Sequence, residues 1–285
     1  MEVNTMDKKI IFLGLILGLM SQVTLAQSKA KKIKQIIGWG KYTQDQKQAQ
    51  KFFVKQYNLQ RKLTKEQDFR LYVDNTYHYN KRGKLQRVDG YEGETSFTIK
   101  YKYGRNVITK QLETPDGKKS NTHIYYNKKG KIVEKKMYDA RKLYKRIVYN
   151  YNRRDSLIGE MHYIYTGKNR RNYKVIYTYD TKTKKRLRRN EYDSNKQIIE
   201  KVVYQYNNQG NLKSISKEFP QRKNSDYNTT IVYKYKNGQL WQIINKSNNN
   251  QYESRKIYKN GILIRTRKYE NEKLTELIDY QYIYY

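Results

Sequence analysis

The sequence predicts an all-β chain: a repetitive meander of antiparallel β-hairpins forming one extended, twisted or curled sheet, with a short helical cap on its N-terminal side. Three observations predict it. Aromatic residues recur in pairs one residue apart, each pair leads into a turn rich in Asn and Gly, and an aliphatic residue follows each turn to open a second strand.

Composition agrees with a thin, aromatic core. Of 285 residues, 61 are Lys or Arg and 26 are Asp or Glu, a formal charge of +35, while 36% are apolar and 32 are tyrosine. High charge with few aliphatics suggests disorder, but a disordered chain is poor in aromatic residues and this one is 14% aromatic. Cysteine is absent, which excludes disulfides, thiolate metal sites and cysteine nucleophiles.

Residues 1–26 read as a secretory signal peptide: Lys8 and Lys9, an apolar run beginning at Ile10, and an exit at Thr24-Leu25-Ala26. The run is too short to cross a bilayer, which needs about 20 apolar residues. The expected location is therefore outside the cytoplasm: periplasm, cell surface or extracellular space. Residues 27–70 form a basic segment. Thr43 and Gln46 fit a capping box, and Ala49, Phe52, Phe53 and Tyr57 fall on one face of a helix, expected to cover an open end of the sheet. Membrane binding through that face is the alternative.

Residues 71–285 form the repeat domain. The second aromatic of each pair falls at Tyr79, Tyr103, Tyr126, Tyr151, Tyr179, Tyr206, Tyr235, Tyr258 and Tyr282, at steps of 23 to 29 residues. Strands alternate apolar residues with Lys or Thr, as in Phe97-Thr-Ile99-Lys-Tyr101-Lys-Tyr103. Turns at 80–83, 127–130 and 207–210 open with Asn and end in Gly, and Asn237-Gly238 and Asn260-Gly261 suit two-residue turns. Tyr91, Tyr138, Tyr163 and Tyr269 follow Leu85, Ile132, Leu157 and Leu263 by six residues, an even spacing that predicts one shared face.

The unit Tyr77-His-Tyr79-Asn80-Lys-Arg-Gly83-Lys-Leu85, repeated at Tyr204-Gln-Tyr206-Asn207-Asn-Gln-Gly210-Asn-Leu212, resembles the tyrosine-aspartate (YD, or RHS-type) repeat of bacterial secreted and surface proteins. Tyr235-Lys-Asn237-Gly238-Gln-Leu240 and Tyr258-Lys-Asn260-Gly261-Ile-Leu263 are more similar to the short repeats of the YwqK-type antitoxin and MORN-like group. The resemblance implies a repetitive sheet with a binding, shielding or surface role and no chemistry in the repeats. Asn stands where the family has Asp, except at Tyr179-Asp180, and Asp155 replaces one turn glycine.

No phosphate loop, nucleophile elbow or zinc-protease motif occurs, and His78, His123 and His162 lie in or beside separate strands. A non-catalytic protein without cofactor or metal is expected. The segment 168–189 holds the densest positive charge, and Lys168, Arg170, Arg171, Lys185, Arg186, Arg188 and Arg189 are its candidate polyanion-binding residues. An anionic glycan, lipopolysaccharide or nucleic acid is the expected partner class, with an envelope protein as the rival. Two further readings stand beside this one: an immunity or antitoxin-like protein that binds a toxin, and an outer-membrane β-barrel, whose alternation and terminal aromatics the chain shares.

Overall fold

The computed structural model describes residues 32–42, 48–165, 171–222 and 227–285; the signal-peptide reading and the capping pair Thr43 and Gln46 lie outside these. Twenty antiparallel strands follow in order. The first five are β1 (Ile33–Lys41), β2 (Gln50–Tyr57), β3 (Leu63–Asp68), β4 (Val73–Tyr79) and β5 (Leu85–Glu92). Then come β6 (Thr95–Tyr103), β7 (Val107–Glu113), β8 (Lys119–Tyr126), β9 (Ile132–Asp139) and β10 (Lys142–Tyr151). After these run β11 (Leu157–Ile164), β12 (Arg171–Tyr179), β13 (Arg186–Tyr192), β14 (Ile198–Tyr206) and β15 (Leu212–Glu218). The last are β16 (Thr229–Lys236), β17 (Gln239–Ser247), β18 (Tyr252–Lys259), β19 (Ile262–Glu270) and β20 (Lys273–Tyr284).

Each strand pairs with the next, and β20 pairs with β1 from Ile33↔Tyr284 to Lys41↔Leu277, so the meander is closed into a barrel. The expected open sheet is thereby corrected. Closure removes both edges, which would otherwise expose rows of unpaired backbone groups. Twenty strands at about 4.8 Å apart make a circle roughly 30 Å or more across, too wide for opposite walls to meet through side chains.

The repeat turns form as their chemistry dictates. In the turn at 80–84 the Asn80 Oδ1 accepts from the Lys84 N–H at 2.9 Å, and Gly83 holds φ 71°. Asn237 and Gly238 take φ 51° and 74°, Asn260 and Gly261 φ 50° and 75°, the paired positive values of a two-residue turn. An unforeseen unit precedes them: Asn58 Oδ1 accepts from Gln60 and Lys62, with Arg61 at φ 62° in the glycine's place.

The second tyrosine of a unit has a definite task. Its hydroxyl crosses to the neighbouring hairpin and donates to the carbonyl of the first or second residue of the preceding return strand. Tyr79 donates to Leu63 at 2.8 Å, Tyr103 to Leu85 at 2.7 Å, Tyr151 to Ile132 at 2.8 Å and Tyr179 to Leu157 at 2.7 Å. Tyr206 to Arg186, Tyr235 to Leu212 and Tyr282 to Leu263 continue the series. The ring is thus laid along the wall with its hydroxyl satisfied.

A β-bulge follows most of these turns. Tyr79 pairs with Leu85 but His78 pairs with Arg87, leaving Gln86 over; the same shift recurs at Tyr126, Tyr151, Tyr179, Tyr206, Tyr235 and Tyr258. The extra residue reverses the alternation. Leu85 therefore shares a face with Tyr79 while Tyr91 lies on the other, and Tyr138, Tyr163 and Tyr269 do likewise, which corrects the expected shared face.

The helical cap is also corrected: from Gln50 onward its aromatic face is strand β2. Aromatic and β-branched residues in Phe52-Phe53-Val54 favour a strand, and here that strand completes a closed sheet. A register shift between Gly38 and Trp39 leaves one residue over on β2 and sets Phe52 and Phe53 beside two glycines of β1. A Cβ at Gly40 would stand 2.3 Å from the Phe52 ring, and one at Gly38 2.2 Å from the Phe53 ring. The bare backbone of β1 is the recess that these rings fill.

Of the seven buried aliphatic residues among those described, five, Val88, Ile147, Val175, Val202 and Ile278, lie on the tyrosine face and two, Ile37 and Val54, on the other. Side chains converge on a concave surface and shield one another, so this face is the inner wall. β1 starts and β20 ends at the same rim as the nine turns that follow the even-numbered strands β2 to β18, seven of them opened by Asn, here the turn rim. The opposite rim, where the odd-numbered strands end, is here the loop rim.

Candidate functional site

The inner wall has two zones. Towards the turn rim, even-numbered strands present tyrosines in two tiers, Tyr79, Tyr103, Tyr151, Tyr179, Tyr206, Tyr235 and Tyr282 at the rim and Tyr77, Tyr101, Tyr149, Tyr177, Tyr204, Tyr233 and Tyr280 two residues deeper. Lysines from the turns cap the outer tier: Lys62 lies 5.5 Å from the Tyr79 ring centre, Lys84 5.1 Å from Tyr103 and Lys185 5.2 Å from Tyr206.

Deeper in, the wall becomes a belt of ion pairs. Lys55 meets Glu66 at 2.7 Å, and Arg70 meets Asp68 at 2.7 Å and Glu276 at 2.9 Å, a bridge that spans β1 and β2. Burial works to lower the Arg70 guanidinium, but its hydrogen bond and charge pairing with Asp68 and the Glu276 charge outweigh it and raise the group. Arg189 pairs with Glu191 at 2.8 Å and with Glu200, which also holds Lys217 at 2.5 Å. His162, buried and stacked 4.2 Å from Tyr173, lies 2.7 Å from Glu160, which accepts from the Tyr177 hydroxyl. Lys135 and Lys145 lie over Tyr149 and Tyr173.

The outer wall carries the remaining charge. Arg146 and Lys136 flank Glu134 at 2.6 and 3.3 Å, Lys100 faces Glu113 at 3.6 Å, and Lys174 and Arg188 are exposed. Tyr91, Tyr138, Tyr163, Tyr192 and Tyr269 form an outward row near the loop rim. Ile158, Trp241 and Ile264, the bulged residues of three hairpins, are exposed near the turn rim.

The seven sequence-selected basic residues are not brought to one surface. Lys168 and Arg170 lie outside the described residues. Arg171 is exposed at the loop rim, one nine-residue strand, about 30 Å, from Lys185 at the turn rim. Arg188 faces outward, while Arg186 and Arg189 lie on the inner wall, Arg189 already neutralised by two carboxylates. Lys185 donates to the Gly210 carbonyl at 2.6 Å. Alternation along β13 explains the split, since adjacent arginines on a strand cannot share a face. His78, beside Asp89 at 2.9 Å on the outer wall, and His123, 5.3 Å from Tyr138, are far in sequence pairing from His162, and among the described residues no group of three His, Asp or Glu could hold a metal ion.

Sequence reasoning missed the Arg70 bridge and the glycine recess of β1. The second was visible in outline, since Gly38-Trp-Gly40 places two glycines at strand spacing.

No family model matches the chain and no curated protein is similar to it. Among solved structures, a porin-like protein from Bacteroides uniformis ATCC 8492 is 12% identical with TM-score 0.37, covering 88% of this chain and 98% of that one. A porin-like protein from Bacteroides vulgatus ATCC 8482 is 13% identical with TM-score 0.31, covering 89% and 99%. The TcdB2-TccC3-Cdc42 structure is 12% identical with TM-score 0.30, covering 80% of this chain and 16% of that one. The barrel assignment rests on its own strand pairing.

Proposed function

We propose that this chain is a non-catalytic envelope β-barrel of the outer-membrane kind, a hollow wall around a water-filled lumen. One observation carries the reading: an even number of antiparallel strands closes through β1 and β20, both at the rim where the turns are short. Barrels this wide leave an aqueous channel rather than a packed core. The outward row from Tyr91 to Tyr269 supplies one aromatic girdle. The hairpins are read as units of the tyrosine-aspartate kind, with wall-building as their task.

Membrane fractionation tests the location. Expected are sedimentation with outer membranes, resistance to a carbonate or urea wash, and faster migration in detergent gels when unheated. Complete release by the wash overturns it.

The charged outer wall, with Arg146, Lys174 and Arg188 between the rims, favours a second reading: an exported barrel that stands in water and binds an anionic glycan, lipopolysaccharide or nucleic acid outside. Capture from envelope extract at low salt that collapses at high salt supports this reading, because polyanion binding falls steeply with salt. Capture that persists at high salt points to a protein partner instead.

A further inference from the structure

One unit departs from the rest at a single position. The residue of the return strand that pairs with the rim tyrosine, its first or second, is aliphatic in eight units: Leu63, Leu85, Ile108, Ile132, Leu157, Leu212, Leu240 and Leu263. In the ninth it is Arg186, opposite Tyr179.

The arginine sits in a cage of aromatic rings on the inner wall. Its guanidinium lies 4.4 Å from the Tyr177 ring centre and 5.8 Å from those of Tyr179 and Tyr204. One Nη donates to the Tyr179 hydroxyl at 3.4 Å, whereas the buried Nε has no hydrogen-bond partner. Among the described residues no carboxylate pairs with it, and the inner-wall acids of the neighbouring strands are engaged elsewhere: Glu160 by His162 and Tyr177, Glu191 by Arg189, and Glu200 by Arg189 and Lys217. A half-buried cation without a counter-charge is costly, and a buried donor left unpaired adds to the cost. A repeat that uses Leu or Ile everywhere else has an inexpensive substitute at hand. Beside the cage, at the turn rim, a solvent-open depression of about 560 Å³ is lined by Lys185, Tyr204 and Tyr206, by the acidic Asp180, and by Gln205 and Lys213; it adjoins the cage through Tyr204, and Arg186 itself does not line it.

We propose that Arg186 and its tyrosine cage form a binding site on the lumen wall for a small oxyanion, a phosphate or carboxylate group carried by a solute. The planar fork of the guanidinium grips two oxygens of such a group, while the tyrosine rings hold the fork in place and Lys185 adds a second charge at the rim. The inference rests on the wall and not on where the barrel sits, so its failure leaves the location reading untouched.

The test uses the full chain and its Arg186→Leu variant, which installs the residue of the sister units and so keeps the fold. Inorganic phosphate, glucose 6-phosphate and glucose are titrated at constant ionic strength, read by calorimetry and by the thermal midpoint. Expected are saturable binding of phosphate and glucose 6-phosphate by the parent, none of glucose, and at least about tenfold weaker binding in Arg186→Leu together with an equal or higher midpoint without ligand. Arg186→Lys should recover part of the affinity. Two results overturn the proposal: phosphate that binds both proteins alike, or a parent that shows no saturable binding. Should Arg186→Leu lose its β-sheet circular dichroism, Arg186 is a structural residue, and Arg186→Gln then decides binding by the same titration.

Discussion

At the seam where β20 meets β1, phenylalanine rings of β2 fill the glycine recesses of β1 and Phe53 reaches across to the Tyr280 ring at 5.5 Å; around the remainder of the wall, tyrosine hydroxyls reach neighbouring carbonyls. At the seam, Phe52 is 1% exposed and lies beside Gly40, with Arg70 5.0 Å from its ring centre. In the repeat wall most tyrosines are only half-buried, and their link to the preceding hairpin is one hydrogen bond. Repetition accounts for the contrast. A wall of equal units can distribute its cohesion over many small, identical links, whereas a join between two ends that lie far apart in the chain forms once and needs a concentrated contact to offset the entropy of closing so long a loop.

Four changes sharpen this comparison. Phe52→Ala removes the most enclosed ring of the seam and should cost about 3–5 kcal/mol in denaturant unfolding, the largest effect expected. Gly40→Val brings its Cβ to within 2.3 Å of that ring and 2.7 Å of the Leu277 carbonyl oxygen, and should cost about 1–3 kcal/mol by overpacking, with hydrogen exchange accelerated in β1 and β20 first. Equal exchange in every strand would show that the seam is no weaker than the wall. Tyr151→Phe removes one wall link and should cost about 1 kcal/mol. Combined with Tyr282→Phe on a distant hairpin, the losses should add within about 0.5 kcal/mol, and strong coupling would contradict the picture of independent links. The smallest effect belongs to the turn at 114–118, where the Lys118 ammonium, 2.7 Å away, and then the Thr114 hydroxyl pull the Asp116 carboxyl down to about 2. Because that value lies below the ordinary carboxylate range, the local support is complete above this range and fades as pH falls towards about 2, which the Asp116 side-chain carbon resonance can follow. The side chain is exposed, so the global unfolding midpoint should not respond.

The turns were legible because Asn and Gly have few other reasons to recur with that spacing, and Asn80, Asn127 and Asn207 make the backbone bonds that their amides suggest. The bulges were not. A leftover residue such as Gln86 carries no composition signal, yet it moves Tyr91 to the opposite face. The strands β1–β3 were hidden for a related reason: Arg61 stands where a turn glycine would have marked the unit, and Phe52, Phe53 and Tyr57 satisfy helix and strand spacing alike. Closure itself is a contact between residues such as Gly38 and Tyr280, which no local pattern encodes. The basic segment was visible as density, but whether a residue faces in or out follows from strand alternation, which separates Arg188 from Arg189.

The tyrosine links also bear on ancestry. Each joins a hairpin only to the one before it, in a manner that the next pair repeats, so a gene that gains or loses one unit by unequal recombination leaves every surviving link a partner of the same kind. Two strands more or fewer change the circumference by roughly 10 Å and the bore by about 3 Å. Paralogues of graded calibre could thus arise from a single tandem-copying step, with the seam alone obliged to adapt.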